Sequence, residues 1–122
     1  MTPNEYQELA LKTESVKEKV QLVYQEARAF HAALGIGTEA GELLDAFKKA
    51  LFYGKVTDRV NIAEELGDLL WYIAIGLDAC GYTMEQAMER NIAKLKVRYG
   101  DKFSSEAALN RDLTAERKTL ES

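Results

Sequence analysis

Two pairs of acids carry the clearest chemical signal in this sequence. Glu39 and Glu42 stand three residues apart in "TEAGE", and Glu65 and Asp68 stand three apart in "EELGD". On a helix, side chains at that spacing have Cβ atoms roughly 5–6 Å apart, so each pair can direct two carboxylates at one point. A glycine precedes the second acid of each pair, at Gly41 and Gly67. Glycine inside a helix costs about 1 kcal/mol against alanine, a cost tolerated where a ligand or another backbone must come close. Four converging carboxylates repel, and burying them unpaired costs on the order of several kcal/mol each or forces protonation. A hard divalent cation removes that penalty. Oxygen-only ligands select Mg²⁺ or Mn²⁺ over zinc, and Mg²⁺ on carboxylates keeps positions for water and substrate phosphates. Two such ions about 3.5–4 Å apart can clamp the attacking and leaving oxygens of a phosphoryl displacement. The chemistry implied is metal-assisted hydrolysis of a phosphate ester or anhydride. Against it stands a plain alternative, since E-x-x-E is common on solvated helix faces.

The elements that must position these acids all read as helices. Thr2-Pro3-Asn4-Glu5 forms a capping box that opens a first helix, with Tyr6, Leu9, Ala10 and Thr13 on one stripe. The pattern weakens between Thr13 and Val20, which suggests a break. A second helix carries Val20, Val23, Tyr24, Ala27, Phe30 and Leu34, and Gly35 and Gly37 bracket an expected bend. A third helix, from about Thr38 to Tyr53, turns Ala40, Leu43, Leu44, Phe47 and Leu51 inward and stops at Gly54. Asp58 caps a fourth helix that ends near Gly81, and Thr83-Met84-Glu85-Gln86 opens a fifth that ends at Gly100. Short connections between long helices imply an all-α, antiparallel bundle of four to five helices. The domain is expected over residues 1–103. The polar segment 104–122 is expected as a tail that packs on another subunit.

The fourth helix is the informative one. At about 100° per residue, Ile62, Leu66, Leu69, Leu70, Ile73, Leu77 and Cys80 share a broad face, read as core. Asn61, Glu65, Asp68 and Tyr72 line one edge of it. Beyond Leu69 the helix is apolar on nearly every side, Trp71, Ala74 and Ile75 included, and a helix apolar all round is buried all round. In a short chain that predicts the central helix of an oligomer. Twenty-two residues separate Glu42 from Glu65, enough to end one helix, turn and return, so the two acidic pairs can face each other across antiparallel helices.

The totals fit this picture. The 122 residues suit one domain with a real core. A net charge of −4, with no Lys/Arg block longer than two, argues against binding a nucleic acid polymer. Cys80 is the single cysteine, so no internal disulfide forms, in keeping with a reducing compartment. No apolar run approaches the roughly 20 residues of a membrane span, and the start lacks the apolar run of a signal peptide. A cytoplasmic protein without membrane association is expected.

The segments "GTEAGELLDAFKK", "NIAEELGDLLWYIA" and "NIAKLKVRYGDKFS" resemble the MazG-type all-α nucleoside triphosphate pyrophosphohydrolases. The likeness runs from about His31 to Phe103. The family pattern E-x-x-E, spacer, E-x-x-D falls on Glu39, Glu42, Glu65 and Asp68. N-x-x-K-L falls on Asn91 to Leu95, and R-Y on Arg98 and Tyr99. The resemblance implies Mg²⁺-dependent cleavage between the α- and β-phosphates, releasing a nucleoside monophosphate and pyrophosphate. It implies that the four carboxylates are the catalytic metal ligands, and that Asn91 and Lys94 face the phosphates or sugar with Arg98 and Tyr99 beside them. It also implies a homodimer or homotetramer, and a role in cleansing deoxynucleotides or non-canonical nucleotides from the pool. Tyr72 shares the stripe of Asp68 and is a candidate for substrate contact. His31, Phe30 and Leu34 are weighed as a base pocket against plain packing, Trp71 as a stacking ring against oligomer packing, and Lys48 and Lys49 as phosphate contacts against a solvated face. The rival readings are a related dUTP or phosphoribosyl-ATP pyrophosphatase, and a non-enzymatic helical interaction module.

Overall fold

The computed structural model of the protein describes residues 1–14 and 24–122. Among the described residues the chain is all helix, with no strand: α1 (Pro3–Leu11), α2 (Tyr24–Phe52), α3 (Arg59–Ala79), α4 (Met84–Tyr99), α5 (Ser105–Leu109) and α6 (Leu113–Glu121). The expected break between Thr13 and Val20, and a helix start at Val20 and Val23, lie outside the described residues apart from Thr13 and Glu14. The chain divides into two units, Met1–Thr83 and Met84–Ser122.

In the first unit the caps act as the sequence indicates. The Thr2 hydroxyl accepts from the Glu5 N–H at 3.1 Å, and the Glu5 carboxylate accepts from the Thr2 N–H at 2.6 Å. Asp58 accepts from the N–H groups of Val60 and Asn61 to open α3. Gly54 and Gly81 end α2 and α3 with φ of 69° and 81°, a conformation that costs a side chain far more than it costs glycine.

The bend expected at Gly35 and Gly37 is absent, and the second and third helices are one. Two exposed or buried glycines weaken a helix but do not break it, and α2 packs on α3 along much of its length. Gly35 serves a different purpose. A Cβ there would lie 2.1 Å from the Tyr72 ring, so the glycine makes room for an aromatic side chain of α3. Gly76 meets Ala32 in the same way at 3.2 Å. Read with the approach of Glu39 to Glu65, these pairs set the direction: as numbering rises along α2, its partners on α3 fall. The two helices are antiparallel.

The faces called core in the sequence are only partly so. On α3, Ile62, Leu69 and Leu77 are half-buried, but Leu66, Leu70, Ile73 and Cys80 are exposed; the buried positions are Glu65, Ala74 and Ile75. On α2, Leu44, Phe47 and Leu51 are exposed, while Ala27, Arg28, Ala32 and Gly35 are buried. The reason lies in what α3 packs against. Its Glu65–Tyr72–Gly76 side meets α2. Its Trp71–Ala74 side meets α1 and the turn after it: Gln7 Nε2 donates to the Ala74 carbonyl at 3.1 Å, and Trp71 Nε1 donates to the Thr13 hydroxyl at 2.8 Å. The large aliphatic side chains are left outward. Buried Arg28 closes the far end of the unit, with Nε on Glu14 at 2.7 Å and a terminal nitrogen on Asp78 at 2.8 Å. Those two carboxylates, Glu14 foremost, hold its charge more firmly than an exposed guanidinium's.

In the second unit, Ser104 and Asp112 cap α5 and α6. The segment after Phe103 finds a partner in its own chain, with α6 packed on α4. Glu116 is 2% exposed there. Arg98 Nε meets one of its oxygens at 2.6 Å and Arg111 the other at 2.7 Å. Those guanidinium groups, Arg111 first, pull its carboxyl down to about 2.

Candidate metal centre

The antiparallel pairing brings Glu39 and Glu42 of α2 to Glu65 of α3. One carboxylate oxygen from each lies within 4.8 Å of the other two. Glu65 is 8% exposed, Glu39 half-buried and Glu42 exposed, so the group runs from the helix seam outward to solvent. Among the described residues, Glu39 Oε2 and Glu65 Oε2 are buried without a hydrogen-bond partner. An ionised carboxylate only accepts, so neither acid can satisfy the other without taking a proton. The strain is visible in Glu39. Burial first, then the charges of Glu42 and Asp68 and the contact with Glu65, hold its carboxyl above the usual range.

Asp68, the fourth acid of the pattern, lies outside that 4.8 Å group and is exposed on α3. Its charge reaches Glu39, and it also reaches Tyr6 of α1, whose hydroxyl is raised first by burial and then by Asp68. Tyr6 was legible only as a stripe residue of the first helix, because nothing local to α1 says which part of α3 it covers. Asn61 was legible in principle. It stands four residues before Glu65, and its Nδ2 donates to Glu65 Oε1 at 3.2 Å.

The other candidates fall into two groups. Tyr72 is half-buried, edge-on to Trp71 at 5.0 Å and to His31 at 5.8 Å, with its ring over Gly35. That is packing between α2 and α3. Phe30 and Leu34 beside His31 are exposed, and Lys48 and Lys49 pair with Asp45 at 3.4 and 2.8 Å. On α4 of the second unit, Asn91 is exposed and Lys94 half-buried. Tyr99 tilts against Phe103 at 5.3 Å. Arg98, expected near the substrate, is engaged by Glu116 and lies 5.5 Å from the Tyr99 ring centre.

Three carboxylates with two buried, unpartnered oxygens offer an all-oxygen donor set, the type that suits a hard divalent cation. No helix among the described residues is long and apolar enough to cross a membrane. A family model described as the MazG nucleotide pyrophosphohydrolase domain matches residues 31–103, which hold all three clustered acids and Asp68. Neither a curated protein nor a solved structure matches the chain.

Proposed function

The chain belongs to the MazG nucleotide pyrophosphohydrolase family, and we propose on that premise that it hydrolyses nucleoside triphosphates to a monophosphate and pyrophosphate with Mg²⁺ as cofactor. Deoxynucleotides or non-canonical nucleotides are the proposed substrates, and cleansing of the nucleotide pool the proposed role. The observation that carries this reading is the pair of buried, donorless oxygens on Glu39 and Glu65 within reach of Glu42. Mg²⁺ or Mn²⁺ bound there would supply Lewis-acid charge to the triphosphate and to the attacking water. Glu39, Glu42 and Glu65 would hold it, and Asp68 would add negative charge beside them. Burial of Glu65 keeps bulk water from one side of the group, which strengthens every electrostatic interaction inside it. Asn91 and Lys94 are the proposed phosphate- or sugar-binding residues. Arg98 and Tyr99 are proposed beside them, with Arg98 already engaged through Nε by Glu116 at 2.6 Å.

The partner we propose is a second copy of this chain. On the helical wheel, Ile36, Ala40, Phe47 and Leu51 of α2 sit roughly 60–120° round from the face that meets α3. Ile62, Leu66, Leu70 and Ile73 of α3 are offset in the same sense from the face that meets α2. In an antiparallel pair, equal offsets turn both stripes to one side. Leu66 is 51% exposed and Leu51 77%, far more than a packed helical hairpin leaves in water at little cost. A second hairpin covering that side would complete a four-helix core on the side opposite Glu42 and Asp68.

The deciding experiment is a panel of canonical and modified triphosphates, dUTP among them, incubated with Mg²⁺ and scored for pyrophosphate against orthophosphate. Pyrophosphate is expected. Orthophosphate alone would contradict the cleavage position, and no binding heat with Mg²⁺ or Mn²⁺ would favour a non-enzymatic helical module. Light scattering tests the partner: a dimer or tetramer is expected, dissociated by Leu66→Lys.

A further inference from the structure

Glu65 has two carboxylate oxygens in different situations. Oε1 accepts from the Asn61 side-chain amide at 3.2 Å, and Oε2 is buried with no partner. Asn61 is itself fixed. Its backbone N–H is one of the two that Asp58 caps, at 3.2 Å, so it sits in the first turn of α3, one turn below Glu65. A carboxylate on a helix has rotamers that point it to solvent or along the seam. A donor one turn away that grips one oxygen selects among them. The amide is neutral and donates through Nδ2, so it grips the carboxylate without adding a competing charge to the group.

We propose that Asn61 is a positioning residue: its amide holds Glu65 by Oε1 so that Oε2 is presented to the cation shared with Glu39 and Glu42. This rests on the metal-binding reading above and adds a residue outside the four-acid pattern. The chain of support runs from the Asp58 cap to the Asn61 backbone, then from the Asn61 amide to the Glu65 oxygen. Groups that orient a metal ligand from behind typically account for about 10- to 100-fold in metal affinity.

The test is Mn²⁺ titration by calorimetry of the full chain, wild type against Asn61→Ala and Asn61→Gln, with unfolding of each metal-free protein followed alongside. Gln keeps a donor at the same four-residue spacing, a pairing that helices support. Asn61→Ala is expected to weaken Mn²⁺ binding by about 10-fold or more, with metal-free unfolding little changed, and Asn61→Gln to recover most of the loss. Wild-type affinity in Asn61→Ala would overturn the inference while leaving the metal reading intact. So would equal loss in both variants, because the donor would then not be the cause. A wild type that binds no Mn²⁺ would overturn both readings, and that result is distinct from the other two.

Discussion

Two buried acids in this chain are treated in opposite ways. Glu116 in the second unit is enclosed by two guanidinium groups, each within 2.7 Å of a carboxylate oxygen. Glu65 in the first unit is buried beside Glu39 and Glu42, with one donor on Oε1 and none on Oε2. The cost of taking a carboxylate out of water is offset in the first case by the fold's own cations. In the second it is left open. A fold that can enclose an acid with arginines, and does so elsewhere, has not done so here. The difference separates an ion pair that holds the structure from an acidic group left with room for a cation.

Substitution should split the two sites by effect, and this is where the largest changes are expected. Glu65→Gln removes a proposed ligand and relieves repulsion. Pyrophosphohydrolase activity should fall by more than about 100-fold, beyond the loss typical of outer-shell residues, while the metal-free melting temperature holds or rises. Glu116→Gln leaves Arg98 and Arg111 facing a neutral amide, so melting should drop by several degrees. If Glu65→Gln melted early and kept full turnover, the comparison would be inverted.

The same contrast has an acid–base form of intermediate size. Glu39 is raised above its ordinary 4.5 in the folded chain. The folded state then binds more protons than the unfolded one, so metal-free stability falls as pH rises from that value through the raised one. Glu116 is lowered from 4.5 to about 2. Its contribution is complete above the unfolded value and is lost as pH falls from there through the folded one. Melting curves across the acidic range in a chelator should therefore show Glu39→Gln flattening the neutral side of the profile and Glu116→Gln flattening the acid side. Added Mg²⁺ should abolish the Glu39 slope and leave the Glu116 slope alone.

What the sequence made legible follows the range of the forces involved. Caps, glycine stops and the acidic spacing depend on neighbours three or four residues away, and Thr2, Asp58, Gly54 and the Glu39/Glu42 pair stand as read. The faces of α2 and α3 did not. A helix as apolar as α3 gives no periodic signal to separate the side that meets its own chain from the side left outward, so Leu66 and Leu70 read as core while Ala74 and Ile75 are the buried pair. Gln7, Arg28 and Glu116 are buried polar groups whose partners lie far along the chain or beyond a turn. Spacing does not reveal such partners. Gly35 shows the same limit: a glycine that looks like a bend is a contact with a ring of the next helix.

The glycines supply the smallest and most discriminating effects. At Gly35 a new Cβ would sit 2.1 Å from Tyr72, whose ring is already set against Trp71 and His31. Gly35→Ala should therefore destabilise the fold by about 1–3 kcal/mol, as overpacking does. At Gly41 and Gly67 nothing lies within 4 Å, so alanine there should stabilise the helix by up to about 1 kcal/mol. If those two positions are glycine only by drift, the alanine variants will melt slightly higher and turn over substrate unchanged. If the space beside Glu42 and Asp68 is where a triphosphate and its cation approach, the same variants will melt higher and bind substrate worse. KM should then rise several-fold while metal-free stability improves. Opposite signs in one variant are the expected result, because folding and substrate approach place different demands on that backbone.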